Sequence, residues 1–318
     1  MSKKILVAVD GSERGYEAVS IVGEFFRGCP DNEMILFHCM PEMTGLLPGE
    51  LFAGYEASLK ASLTDRQKLG DALYSECRRR LVEVGFPEQN IHFKLKPESI
   101  DPAEDIQLEA GNEGIRSIAL GRRGRSQLET LLLGSVSSKV ALYSRHHSVW
   151  IVDTPVFKTR RVLVAMQGVP DAKVLIDYVV EVLALVPDLD YHFLNLIPPV
   201  PPTLWDDGHI LGPEERKQRD SQMEKWRSQW KAKVEQFMLQ GRDSLKACGV
   251  PEKSVEMTVR VTREGIARDL INEVAARQYQ LVILGKKSFE EKKPFLMGSH
   301  AHKVLQNVKG SIICMVDA

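Results

Sequence analysis

The sequence predicts an α/β fold built as two tandem, doubly wound parallel-sheet domains with five main strands each. Three observations carry this prediction. Short apolar runs alternate with longer stretches of helical periodicity along the whole chain, the pattern of βα units that feed a parallel sheet. The order of elements in the first half is replayed in the second. Fixed offsets then link the halves: Gly121 to Gly285, Gly134 to Gly298 and Val152-Asp153 to Val316-Asp317 are each 164 residues apart. The N-terminal strands, Ile5–Ala8 and Val162–Ala165, are offset by 157. The seven-residue difference reads as an insertion in the second copy, placed in the proline-rich stretch Pro198–Pro213 and expected to lie in a surface loop.

In the first half, strands are expected at Lys4–Val9, Glu33–Met40, Ile91–Lys96, Ser117–Leu120 and Val149–Val152. Ser12 follows the first strand and can cap a helix whose Ala18, Val19, Val22, Phe25 and Phe26 share one face. A long polar helix spans Leu63–Val84. Asp101-Pro102 opens another, with an aspartate cap and proline at the first helical position. Ser135–Leu142 is the last. The second half predicts strands at Arg161–Met166, Asp190–Ile197, Ser254–Val261, Gln280–Leu284 and Ser311–Val316. Its helices fall at Ala172–Leu185, Arg216–Ala247, Ile266–Ala276 and Ser299–Gln306. The domains are 1–154 and 160–318, joined by a short linker near Thr154–Thr159.

Composition narrows the classes of function. The 318 residues are 43% apolar and 27% charged with a formal charge of −1, ordinary for soluble domains and without global attraction for nucleic acid or anionic lipid. No apolar run approaches the roughly 20 residues of a membrane span, and the N-terminal residues lack a signal-peptide pattern. The five cysteines are scattered, odd in number and without metal-ligand spacing. They are expected to be reduced thiols in a cytoplasmic protein.

The most informative stretch is Gly121-Arg-Arg-Gly124, nine further residues, then Gly134-Ser135. A strand, a glycine-punctuated loop and a helix start make a phosphate cradle, because glycines let backbone N–H groups approach an anion and the helix N-terminus adds donors. In a doubly wound sheet ligands sit beyond the carboxyl ends of the strands. Asp10 and Gly121 both end strands, so they face one crevice if those strands are neighbours.

These residues resemble the universal stress protein family in a tandem, two-domain form, over nearly the whole chain. Gly121, Gly124, Gly134 and Ser135 match the family's nucleotide pattern, Gly-x2-Gly-x9-Gly-(Ser/Thr). Val7-Ala8-Val9-Asp10-Gly11-Ser12 matches its first-strand ending, and His38-Cys39 its second in part. The resemblance implies an adenine-nucleotide α-hydrolase-like fold with ATP, alone or with Mg, in the crevice. It implies phosphates on Gly121, Gly124, Gly134 and Ser135, ribose at Asp10, and adenine bordered by the Ala8 and Cys39 backbone. It also implies a stress-response role with protein partners, and pairing of the edge strands Val149–Val152 and Ser311–Val316 into an internal pseudo-dimer, with further homodimerisation left open. Members without the motif bind no nucleotide. In the second copy Gln167 replaces Asp10, Ser288 replaces Gly124 and Pro294 enters the loop; Lys286, Lys287, Lys292 and Lys293 are available to an anion there.

Other residues have plainer readings beside sharper ones. Arg122, Arg123 and Arg125 suit phosphates by their forked donors, or form a solvated loop face. His300 and His302 are two apart on a helix and do not share a face; His146-His147 reads as a surface turn. Cys39 reads as a small strand residue, and Trp226/Trp230 as helix packing. No Ser/His/Asp set, metal quartet or Walker lysine stands out, so an enzyme is not expected. The rival readings are a nucleotide-independent interaction protein with an empty or anion-only cradle, and an adenine-nucleotide-processing enzyme.

Overall fold

A computed structural model of the chain describes residues 3–41, 56–123, 133–166, 169–198, 212–286 and 297–317. It divides into two compact units, Met1–Val156 and Phe157–Ala318. In the first, the elements run β1 (Lys3–Ala8), α1 (Glu13–Phe26), β2 (Asn32–Pro41), α2 (Glu56–Glu83), β3 (Ile91–Ser99), α3 (Pro102–Asn112), β4 (Ser117–Gly121), α4 (Ser135–Tyr143) and β5 (Ser148–Val152). All pairings are parallel and the strand order is β3-β2-β1-β4-β5. β1 therefore sits at the switch point, with β2 on one side and β4 on the other, as the strand-end argument requires.

The second unit repeats the scheme with β6 (Arg161–Met166), α5 (Val169–Leu183), β7 (Asp190–Ile197), α6 (Pro213–Ala247), β8 (Val255–Val261), α7 (Ile266–Arg277), β9 (Leu281–Gly285), α8 (Ser299–Asn307) and β10 (Ile312–Val316). Its order is β8-β7-β6-β9-β10, again all parallel. The central strands are buried on both faces, which is why Ile5-Leu6-Val7 and Val162-Leu163-Val164 read as continuous apolar runs rather than alternating ones.

An aromatic cluster of the first core gathers around β5. Trp150 is fully buried, with ring centroids 5.6 Å from Phe25 and 5.4 Å from Phe26 at the end of α1. Helix starts follow the sequence signals: Ser12 caps α1 by accepting the Gly15 N–H, and Asp101 caps α3 by accepting the Ala103 N–H. None of the five cysteines forms a disulfide.

The seven extra residues of the second copy are not where the proline-rich stretch suggested. The connections before α2 and α6 are nearly equal in length, whereas α2 has 28 residues and α6 has 35. Seven residues are about two helical turns. The insertion lengthens the helix and leaves its inward face in phase: buried Gly70, Cys77 and Leu81 correspond to Val234, Gly241 and Leu245 at the 164 offset. Of the loop itself, residues 199–211 lie outside the described residues. Helical periodicity persists through an insertion of this length, so composition pointed to the wrong element.

A polar cluster lies in the second unit at the end of the sheet opposite the strand termini that bear the glycine motif. His192 on β7 is 4% exposed. Its Nδ1 lies 2.5 Å from the Tyr279 hydroxyl and its Nε2 2.9 Å from Thr258 Oγ1. Glu256 and Glu273 stand 3.7 Å away, and Arg277 Nη1 3.5 Å. Burial pushes the His192 pKa below its ordinary value; Glu256 and Glu273 oppose this, while Arg277 and Arg161 add to it. With the folded pKa lower than the unfolded value near 6.5, the unfolded chain binds more protons in the interval. Stability of this unit is therefore fully present above about pH 6.5 and declines as pH falls through that window toward the folded pKa. Urea unfolding at pH 7.5 and 5.5 should show the decline, and His192→Gln should flatten it. An equal pH dependence in the variant would refute the assignment.

Candidate functional site

The crevice at the strand ends of the first unit is assembled from β1, β2, β4 and the starts of α1, α3 and α4. Ala8, Asp10, Cys39, Gly121, Gly134 and Ser135 all border it. Gly124, the remaining predicted residue, lies outside the described residues, as do Arg125, Gln167, Lys287, Ser288, Lys292, Lys293 and Pro294. The crevice measures about 290 Å³, at the low end of the roughly 300–1,000 Å³ typical of small-molecule sites. It has two chemical ends. Phe37, Cys39, Pro102 and Ile106 make an apolar end, and Asp10, Arg123 and the N-terminus of α4 make a polar one.

At the polar end, Gly134 occupies the N-cap of α4 and supplies no side-chain acceptor. The first N–H groups of that helix are thus available to an external anion, and the helix dipole favours one. Two rungs tie the described residues on either side of the loop. Arg122 N–H donates to Val152 O at 2.8 Å, and Gly134 N–H donates to Arg122 O at 2.9 Å. Ser137 Oγ adds a bond to Gly121 O at 2.8 Å. A Cβ on Gly121 would come within 3.3 Å of Arg123 O, a tight contact that the glycine avoids where the chain folds back.

Asp10 is held by its neighbour. Its Oδ1 accepts the Ser12 N–H at 3.0 Å and the Ser12 hydroxyl at 2.7 Å. Ser12 thus caps α1 and clamps the carboxylate with the same hydroxyl. The turn reading of Asp-Gly-Ser is realised, and the same conformation leaves Asp10 on the crevice wall. His38 Nδ1 lies 2.7 Å from Val9 O and fixes the β1 ending next to Ala8. Burial and the nearby Asp105 push the Cys39 thiol up to about 12. It stays protonated and unreactive, in keeping with its reading as a small strand residue.

Of the loop arginines, the two described ones differ in placement. Arg123 borders the crevice. Arg122 does not: it is 2% exposed, with Nε 3.5 Å from Asp153 Oδ2. Burial pushes its guanidinium below the ordinary arginine range, against the pull of Asp153. Both readings offered for it, a phosphate contact and a solvated face, are corrected to a buried ion pair. Lys286, its counterpart in the second unit, is likewise buried at 3% exposure and is not a surface cation for an anion. Charged residues in a loop read as solvated from sequence, because the β-end geometry that turns them inward is invisible there. Sequence reasoning also missed Gly15, Ser137 and Phe37 on the crevice wall; the equivalent residues of the second copy are Ala172, Ala301 and Leu194.

The second unit keeps the same frame. Lys286 N–H donates to Val316 O at 2.8 Å, and Gly298 N–H to Lys286 O at 2.9 Å. The position of His38 is taken by Asn195, whose amide donates to Met166 O at 2.9 Å and whose Oδ1 accepts the Trp230 indole N–H at 3.0 Å. Trp226 packs on Trp230 with centroids 5.3 Å apart, so the tryptophan pair also braces a strand end.

Open parallel sheets with a glycine loop and an uncapped helix at the switch point define the chain as a tandem pair of doubly wound α/β domains. The universal stress protein family model matches it twice, over residues 1–153 and 158–315. The chain belongs to that family. Universal stress protein MJ0577 of Methanocaldococcus jannaschii is 28% identical over 145 residues, covering 44% of this chain and 88% of that protein. Universal stress protein YxiE of Bacillus subtilis is 27% identical over 147 residues, covering 45% of this chain and 95% of that protein. A crystal structure of a universal stress protein from Archaeoglobus fulgidus covers 100% of this chain and 99% of its own at TM-score 0.61, with 15% identity; at that identity the likeness concerns the fold. Among the described residues, no helix is long and apolar enough to cross a membrane, and no three or more His, Cys, Asp or Glu side chains gather to hold a metal ion.

Proposed function

We propose that the first unit binds ATP and that the protein acts in stress response as a nucleotide-dependent regulatory or interaction protein. The observation that carries this is the convergence, across β1 and β4, of the Ser12-clamped Asp10 carboxylate and the uncapped N-terminus of α4. A nucleotide has matching parts: a flat base for the apolar end, ribose hydroxyls for a carboxylate, and phosphates for helix N–H groups. Ala8 and Cys39 would border the base, and Asp10 would accept from the ribose. Gly121, Gly124, Gly134 and Ser135 would hold phosphates, with or without Mg. Bound nucleotide would bias the 121–135 loop between states that a partner protein distinguishes. We propose binding rather than rapid turnover, because the sequence supplies neither a Walker lysine nor a nucleophile–base pair near this loop.

In the second unit Asp10, Gly15, Gly124 and Ser137 are replaced by Gln167, Ala172, Ser288 and Ala301. We assign that unit a structural or regulatory role. Equilibrium binding of labelled ATP to nucleotide-stripped protein tests the proposal. Saturable binding tighter than about 1 mM, roughly −4 kcal/mol, is expected, and Gly124→Val should abolish it by placing a branched side chain where backbone must approach phosphate. Binding of inorganic triphosphate alone, without preference for the nucleoside, would favour the anion-only rival.

A further inference from the structure

The outer strands of the two units have opposite edges. β3 and β8 correspond at the 164 offset, and among the described residues each pairs on one side only of its unit's sheet, with β2 and with β7. An open edge offers unpaired N–H and C=O groups to any strand that reaches it, and proteins guard such edges with lysine and proline. β3 is guarded by Lys94, Lys96 and Pro97. β8, Val255-Glu-Met-Thr-Val-Arg-Val261, contains neither residue type, and its Met257 and Val261 are 36% and 39% exposed.

The β8 edge is also complementary to itself. Thr262 N–H bonds to Ile197 O at the end of β7, so by alternation Val255, Met257, Val259 and Val261 turn their N–H and C=O groups outward. Set a second β8 against it, antiparallel, with a two-fold axis at Thr258. Met257 then meets Val259, and Val255 meets Val261, as hydrogen-bonded pairs, apolar against apolar. On the other face Glu256 meets Arg260 as a non-hydrogen-bonded pair, where side chains approach most closely. Each already has an opposite charge on α7: Arg277 donates to Glu256 at 2.7 Å, and Arg260 donates to Glu273 at 3.3 Å. The new contact would join these ion pairs into one row of alternating sign. An axis at Met257 or Val259 instead sets Glu256 or Arg260 against Thr258, and no opposite charges face. The same operation on β3 would set Lys94 against Lys94 and His92 against Lys96, with no N–H at Pro97.

We propose that β8 is a docking edge for a second copy of this chain, the two strands pairing antiparallel about Thr258. Main-chain bonds supply the attraction and the Glu256–Arg260 pairs set the register. One strand pair is a small interface, so the dimer belongs to the weak class. Sedimentation equilibrium of the full-length protein at low ionic strength tests this with wild type, Glu256→Arg and Arg260→Glu, each alone and the two variants mixed in equal amounts. Wild type should dimerise as its concentration rises. Each variant alone faces like charges twice across the axis and should associate about tenfold more weakly. In the mixture one chain is positive at both positions and the other negative at both, so every facing pair is again opposite and association should return. Damage from the broken Arg277 or Glu273 pairing within a chain would not be repaired by mixing. Thr258→Cys in a Cys248→Ser background leaves the charges intact; mild oxidation should cross-link it into dimers, and Cys248→Ser alone should stay uncross-linked. A wild type that is monomeric at every concentration overturns the proposal. So does a dimer that both charge variants form as well as wild type, a mixture no better than either variant, or a failure of Thr258→Cys to cross-link.

Discussion

Trp150→Ala is expected to destabilise the first unit by about 3–5 kcal/mol, the range for truncating a large buried aromatic. Trp150 sits on β5 with all its surface removed from water, and its ring meets Phe25 and Phe26 in edge and tilted contacts. Neither phenylalanine can follow the lost indole, because both belong to the last turn of α1 and are themselves buried. The void is therefore expected to persist. Urea unfolding monitored by circular dichroism should show a lower midpoint for the first unit; a loss under about 1 kcal/mol would mean that the helix collapses onto the strand. The effect should reach the crevice. The far end of α1 carries Ser12 and Gly15, so a helix that rocks on a hollowed core misplaces the clamp on Asp10.

Asp269→Ala should cost the second unit about 3 kcal/mol, through two backbone donors left without acceptors. Asp269 is 5% exposed. Its Oδ2 accepts the Arg263 N–H at 2.8 Å and its Oδ1 the Glu264 N–H at 3.0 Å. This compensates for the N-cap of α7, where Gly265 at φ 104 has no side chain to offer; the corresponding residue of the first unit, Asp101, caps α3 directly. Asp269→Asn retains one acceptor and should lose about half as much. Equal losses for Ala and Asn would show that charge, not acceptor count, matters there.

Much of the architecture was readable from residue order. Periodicity located every strand, and Asp101-Pro102 and Ser12 marked helix starts that the structure reproduces. The β1–β4 adjacency that puts Asp10 opposite Gly121 was a condition the sequence left open, and the sheet order meets it. What escaped the sequence depends on distance in space. Gly15 looks like a weak point in a helix until it is found on the crevice wall. Arg122 looks exposed until its strand end turns it toward Asp153. The His192 cluster joins residues 192, 256, 258, 273, 277 and 279 from four segments, and no local pattern announces it.

The seven-residue extension of α6 has a consequence for how such domains diverge. A seven-residue insertion returns a helix to within roughly 20° of its starting azimuth, so the buried side need not be redesigned while the element gains about 10 Å of length. Insertions of five or six residues would instead swing polar positions inward. Whole-heptad steps are thus a phase-neutral way to lengthen this helix. Among the described residues, the added reach in α6 falls in its charged, largely exposed N-terminal portion, where a duplicated domain can change its outer face and keep its core.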